Sequence, residues 1–262
     1  MELYPVADRI FIIPGRNGGR FPFSHAVYVE GERRVLLDAG AGRDVMQAFL
    51  AEHPVDVVVA SHGHPGHLSG LFLLGGRPIF APEQSRDSFG HLERLAERFV
   101  ADPAARGLWT ALQRKVLGFR DTAHTHTYNG QTSLDLGTAR LHAIHTPGHT
   151  VDHHGFYEET TGTLLAFDLD LDPGGMFYVH RESSLEDYRA SLHLVRSYEA
   201  RQVVLSHRGV LRTGIPEAID GALAALDRRD EQILAALSDE PRTLDRLADA
   251  QLLIPSPPRN LA

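Results

Sequence analysis

At 262 residues, 42% hydrophobic and 23% charged, the chain is sized for one large globular domain, or a domain with an appendage. Its 26 basic and 34 acidic residues give a formal charge of −8 with no long basic run, which argues against binding to a nucleic-acid backbone. Zero cysteines exclude disulfides and thiolate metal ligands, and no apolar run reaches the roughly 18 residues of a membrane span. The expected partner is therefore a small-molecule substrate, with no nucleic acid and no membrane. The start, M-E-L-Y-P-V-A-D-R-I, does not read as a secretory signal, so the expected location is cytoplasmic.

In chain order, the apolar runs Leu3–Val6 and Arg9–Ile13 read as a first pair of strands, followed by a Gly/Arg/Asn-rich turn at Gly15–Arg20. The stretch H-A-V-Y-V-E-G-E-R-R-V-L-L-D-A-G has the strand, glycine turn, strand pattern of a hairpin and releases the chain at Asp38 and Gly40. Arg43–Leu50 has helical spacing, Val55–Ala60 is a third core strand, Leu68–Leu74 reads as a helix start and Arg77–Ala81 as a short strand. Residues 83–120 then change character, with helices fitting Phe89–Val100 and Ala104–Leu117; such an insert is either a substrate wall or a plain packing excursion. Strand signals return at Thr125–Tyr128, Ala139–Ile144, Gly155–Glu158 and Thr163–Phe167. Leu185–Tyr198 is an amphipathic helix with Ser184 as its N-cap and Asp187 three residues on, and Val203–Leu205 is a final strand. Pro216–Leu237 and Arg242–Ala250 are helical, ahead of a proline-rich tail. The expected organisation is one domain over residues 1–214 and a helical appendage over 215–262.

The chemistry concentrates at V-A-S-H-G-H-P-G-H-L-S-G, residues 59–70. In an extended segment alternate side chains share a face, so His62 and His64 point the same way, and the Pro65-Gly66 turn lets His67 swing back. Neutral imidazole is the commonest metal-binding side chain. Three further strand ends carry similar groups: His149 after a Pro-Gly turn in A-I-H-T-P-G-H-T-V-D-H-H, Asp168 in L-L-A-F-D-L-D, and His207 in L-S-H-R-G. Strand ends along one rim of a sheet are a common place to build a site.

These segments together resemble the metallo-β-lactamase superfamily of hydrolases. The family pattern H-x-H-x-D-H, a His in a P-G-H-T-like turn, a bridging Asp and a His after the last strand match here as His62, His64, His67, His149, Asp168 and His207. The strand-end Asp of L-L-D-A-G, Asp38, matches the family residue that supports the site. The resemblance covers roughly residues 8–210 and implies an α/β fold, an αββα sandwich of two mixed sheets flanked by helices. It also implies a first metal position at His62, His64 and His149 with Asp168 nearby, and a second at His67, His207 and a share of Asp168. Asp168 and His207 are the expected catalytic groups.

One position departs from the pattern. The motif Asp is Gly66 here, so the resemblance implies one firmly held Zn2+ and a second site that is weak or empty, with Fe2+ or Mn2+ as alternatives. On this reading Gly66→Asp raises occupancy of the second position. Asp170 competes with Asp168 as the bridging ligand, and Asp152 or His153 competes for the space left at Gly66. The implied activity is hydrolysis by metal-bound hydroxide of a small ester-type substrate, a thioester or acyl ester. Rival readings are a mononuclear iron, persulfide dioxygenase-like enzyme and a degenerate, non-catalytic metal-binding protein. Arg94, Arg98, Arg106, Arg114, Lys115 and Arg120 on the insert are candidates to meet an anionic substrate, against a solvated helix face. The tail resembles the C-terminal helices of acyl-hydrolase relatives and could cover the site or form a homodimer contact.

Overall fold

The structure, a computed structural model, describes residues 1–172, 174, 176–237 and 241–249. Among them a seven-stranded sheet follows chain order: β1 (Tyr4–Ala7), β2 (Ile10–Ile13), β3 (Ala26–Val29), β4 (Val35–Leu37), β5 (Val57–Val59), β6 (Ile79–Pro82) and β7 (His126–Tyr128). The first four strands pair antiparallel and the last four parallel. Parallel neighbours need crossovers. These are α1 (Arg43–Glu52), the single turn α2 (Pro65–Leu68), and the pair α3 (Leu92–Phe99) and α4 (Pro103–Leu117). A six-stranded sheet follows, built of β8 (Ser133–Asp135), β9 (Arg140–His145), β10 (His154–Glu158), β11 (Thr163–Phe167), β12 (Gln202–Leu205) and β13 (Gly209–Leu211), in spatial order β13-β12-β11-β10-β9-β8. Only β11 and β12 run parallel, joined through α5 (Leu185–Arg196). Two helices close the described chain, α6 (Ile215–Leu237) and α7 (Leu244–Asp249).

Period-two alternation distributes the strands' apolar residues over three layers. Val27, Val29, Val35, Leu37, Val57 and Val59 face Leu141, Phe156, Leu165 and Val204 of the other sheet. The intervening Tyr28, Leu36 and Val58 pack outward with Met46 and Phe49 of α1 and Leu92 and Leu95 of α3. On the far side Leu164, Ala166, Val203 and Leu205 meet Tyr188, Leu192 and Val195 of α5 and Ile215, Ile219 and Ala222 of α6. Strands with apolar residues on both faces need cover on both sides, and helix–sheet–sheet–helix is the result. The α/β sandwich expected from the sequence is the fold observed.

Local readings differ in places. The helix expected to start at Leu68 starts at Pro65, inside the histidine motif, and Leu71–Leu74 is a 3-10 turn. β8 and β13 are short, half-exposed strands without a hydrophobic alternation to announce them. Ser184 does cap α5, its Oγ accepting from the Asp187 N–H at 3.1 Å. The chain from residue 215 contributes buried Ile215, Ile219, Ala222, Ala225 and Leu226 to the third core layer, so the first half of α6 is one of the sandwich's outer helices. The proline-rich tail lies outside the described residues.

Candidate metal centre

The candidate ligands lie just past strand ends, except His67, which sits on the short helix α2. Beyond β5, His62 and His64 are in irregular backbone, and Pro65 takes the first helical position of α2, where a fixed φ fits and no N–H is needed. That turn carries His67 back toward His62, ring centroids 4.2 Å apart. His149 follows Gly148, whose φ of 125° and contact with the Tyr188 backbone leave no room for a side chain. Asp168 follows Phe167, which has φ 50° beside a slip in the β11–β12 register. A bulky residue in the left-handed region is strained, and bulges of this kind re-aim side chains beside active sites.

These turns bring the six predicted ligands together. His64 Nδ1 lies 2.9 Å from both His62 Nε2 and His149 Nε2. Asp168 Oδ2 is 3.8 Å from His62 Nε2, 3.4 Å from His149 Nε2 and 3.3 Å from both His67 Nε2 and His207 Nε2. Two donor groups result, His62/His64/His149/Asp168 and His67/Asp168/His207, and one carboxylate oxygen serves both.

Hydrogen bonds outside the cluster fix the tautomers. A carbonyl only accepts, so His149 Nδ1 donates to Phe177 O at 2.7 Å and His207 Nδ1 to Gly19 O at 2.6 Å. His67 Nδ1 donates to Asp38 Oδ2 at 2.7 Å. Ser61 Oγ gives its one proton to Asp38 Oδ2 at 2.7 Å and therefore accepts from His62 Nδ1 at 2.9 Å. Each arrangement turns Nε2 inward, which is how outer partners orient metal-binding histidines. Asp38 anchors the network from a strained backbone with φ 61°, and it also accepts from the Ser61 N–H at 2.7 Å.

Burial pushes His62 and His64 well below the ordinary imidazole value and lowers His149 too. Three neutral rings thus aim ring nitrogens at one spot, while His64 Nε2 and Asp168 Oδ1 are buried with no hydrogen-bond partner. Buried lone pairs facing each other are unfavourable unless a cation lies between them, so the residues present fit a divalent metal. In the second group burial lowers His67, but Asp168 and Asp38 outweigh it and raise it to about 10. His207 is raised against its own burial by Asp168, and Asp168, though buried, is held well down by His67 and His207. A metal there must displace protons, unlike one at the first group.

The competing candidates have other work. Asp170 pairs with Arg208 at 3.0 Å and stands outside both donor groups. Asp152 is fully buried against Arg98, 3.0 Å away, and His153 Nε2 accepts from the Asp168 N–H at 3.2 Å, so neither fills the space at Gly66. That space is closed from the other side: a Cβ on residue 66 would lie 2.8 Å from the Pro22 carbonyl oxygen. The expectation that Gly66→Asp simply restores a ligand is corrected by this backbone contact. Nearby, His25 Nδ1 accepts from the Gly15 N–H at 2.9 Å and so braces the Gly15–Arg20 loop.

The donors floor a cleft of about 570 Å³ walled by Phe21, Pro22, Trp109, Leu117 and Phe177. The insert thus contributes one wall of this cleft, through Trp109, Gln113 and Leu117 of α4. Its basic residues turn elsewhere: Arg98 to Asp152 and Glu182, Arg106 to the Val100 carbonyl, Arg114 to Glu93, and Arg120 onto the Phe72 ring. Sequence reasoning passed over Ser61, the Phe177 and Gly19 carbonyls, and the cleft side of loop 19–22. Backbone acceptors leave no signature in residue identity, although the glycines of R-N-G-G-R mark a loop that approaches something closely.

The metallo-beta-lactamase superfamily model matches residues 19–207, and the chain belongs to that superfamily. An atrochrysone carboxyl ACP thioesterase of Paecilomyces divaricatus is 25% identical over 259 residues, 94% of this chain and 70% of that protein. One of Aspergillus fumigatus is also 25% identical, over 95% of this chain and 71% of its own length. A metallo-beta-lactamase family protein of Thermus thermophilus superposes with a TM-score of 0.71 at 23% identity, covering 91% of this chain and 86% of that one. That likeness shows the fold. No described helix is long and apolar enough to cross a membrane.

Proposed function

We propose that the protein is a zinc-dependent hydrolase of acyl thioesters. The observation that carries the reading is the pair of donor groups sharing Asp168 Oδ2 at the floor of an aromatic-walled cleft. The thioesterase names of relatives spanning most of the chain support the choice of ester.

His62, His64, His149 and Asp168 would hold the cation. When bound, it polarises the scissile carbonyl and makes water nucleophilic near neutral pH. Phe21, Trp109 and Phe177 take the acyl body out of water and orient it over the floor. Asp168 Oδ2 accepts the proton of the attacking water. His207 Nε2, 3.3 Å away, passes that proton to the departing sulfur, while the Gly19 carbonyl holds the ring in place. The products are a carboxylate and a free thiol. With two imidazoles, a shared carboxylate and Gly66 in place of an acid, the second group holds a cation more weakly than the first.

The test is a metal inventory of the purified protein beside a panel of thioester, lactone and phosphodiester substrates. Because the chain has no cysteine, thiol-reactive dyes report product without background. The expected result is about one zinc per chain after dialysis and turnover confined to thioesters. Iron with oxygen uptake on a persulfide, or no thioester cleavage by zinc-loaded protein, overturns it.

A further inference from the structure

Two guanidiniums line the cleft, Arg20 and Arg208, and they differ in what surrounds them. Arg208 is matched by Asp170 at 3.0 Å and Asp172 at 2.9 Å. The Arg20 side chain makes no hydrogen bond or ion pair with any described residue. The basic residues of the insert are absent from the cleft lining. Arg20 is solvent-exposed on the cleft lining, and a guanidinium with no partner there favours an anion, because it offers forked donors that a carboxylate or phosphate satisfies in pairs.

The backbone on either side of Arg20 is fixed. The preceding residue's carbonyl, Gly19 O, accepts from the ligand His207 at 2.6 Å. Arg20 O accepts from the Phe23 N–H at 3.0 Å, closing a turn over the cleft. Pro22 packs its carbonyl onto Gly66, and the chain leaves through Ser24 N–H to Gly40 O at 3.1 Å and His25 N–H to Ser206 O at 2.7 Å. The missing side chain at 66 is what lets this loop come down beside the second donor group. The same residue that removes a carboxylate from the motif therefore brings a cation to that side of the cleft.

We propose that Arg20 is the residue that recognises an anionic oxygen group on the substrate, setting specificity for charged thioesters; this rests on the thioesterase reading above. The anion is either a carboxylate on the acyl body or the phosphate of a phosphopantetheine-type thiol. Arg20 touches neither donor group, so the attack on the carbonyl does not depend on it, and its effect belongs in KM.

Three substrates separate the possibilities: benzoyl and 3-carboxybenzoyl thioesters of N-acetylcysteamine, and benzoyl phosphopantetheine. Arg20→Gln and Arg20→Lys are compared with the unaltered protein after metal content and thermal midpoint are checked. Arg20→Gln is expected to raise KM about tenfold for one charged substrate, leaving its kcat and both constants for the neutral thioester unchanged, with partial recovery in Arg20→Lys. A selective effect on the carboxybenzoyl compound places the anion on the acyl group; one on the phosphopantetheine compound places it on the thiol. Equal KM changes for all three substrates, or none, overturn the inference. As a readout independent of turnover, isophthalate and phosphopantetheine are titrated into chelator-treated protein, where Arg20→Gln should weaken one of them about tenfold. If the unaltered zinc-loaded protein cleaves none of the three, the thioesterase reading fails, and the titration still judges Arg20.

Discussion

At the scale of the residue, the site is governed by groups that never face the substrate. Asp38 accepts from Ser61 N–H, Ser61 Oγ and His67 Nδ1, and through Ser61 it also sets His62. One carboxylate thus orients a ring in each donor group. Asp38→Asn keeps the shape but replaces one acceptor oxygen with a donor, so zinc affinity is expected to fall about 10- to 100-fold, measured by competition with a chromogenic chelator. Unchanged affinity would show the rings to be held by packing alone. His154 makes a separate prediction away from the metal. Burial lowers it to about 4, while its Nδ1–H stays bonded to the Asp152 carbonyl at 2.9 Å. The unfolded chain binds that proton near pH 6.5 and the folded chain does not until about 4, so stability is lost as pH falls through this window. The loss is on the order of 3 kcal/mol. In chelator-treated protein, His154→Leu should flatten the fall of the urea midpoint between about pH 6.5 and 4.5 by up to one proton's worth; an unaltered slope sinks the assignment.

At the scale of the element, what the sequence made legible were strands and helices whose burial imposes a period. Val27–Val29, Val35–Leu37 and Leu164–Ala166 alternate between two apolar layers, and their hydrophobicity shows it. The six candidate donors were equally plain, because imidazoles and a carboxylate at strand ends are chemically distinctive. Hidden were contacts made by backbone: the Gly19 and Phe177 carbonyls, and the Pro22 carbonyl that explains Gly66. A glycine in a motif says that a side chain is missing, but not what stands in its place. The structure supplies a close approach of two chain segments, and that yields a prediction. Gly66→Ala adds one methyl group against a rigid carbonyl, so it should destabilise by about 1–3 kcal/mol and loosen loop 19–22, while metal content at the first donor group survives. The measurement is the denaturation midpoint with metal analysis alongside. A variant as stable as the parent would mean that the loop yields easily, and Gly66→Asp would again become a route to a second ion.

At the scale of the molecule, the centre joins the two sheets. His62, His64 and His67 leave the first sheet after β5, while His149, Asp168 and His207 leave the second after β9, β11 and β12. The inter-sheet core is apolar and non-directional, and at that rim the centre adds to two backbone links between the sheets, His25 N–H to Ser206 O at 2.7 Å and His154 N–H to Ser61 O at 2.9 Å. Removing the cation leaves converging ring nitrogens and a buried carboxylate oxygen without a partner, and the two rims then lose one of the links between them. A ligand present at about 1,000 times its dissociation constant adds about 4 kcal/mol to the folded state. For a chain of this size that corresponds to a midpoint lower by roughly 10 °C on chelation. The loss should also be local. Hydrogen exchange after chelation should quicken in residues 61–68, 146–149, 167–170 and 206–207, and stay slow in β2 and β3, whose pairing lies within one sheet. Uniform acceleration along the chain would show that the ion supports the whole core. No change at the strand ends, with metal demonstrably gone, would show the sheets packed well enough to hold the donors together against their own repulsion.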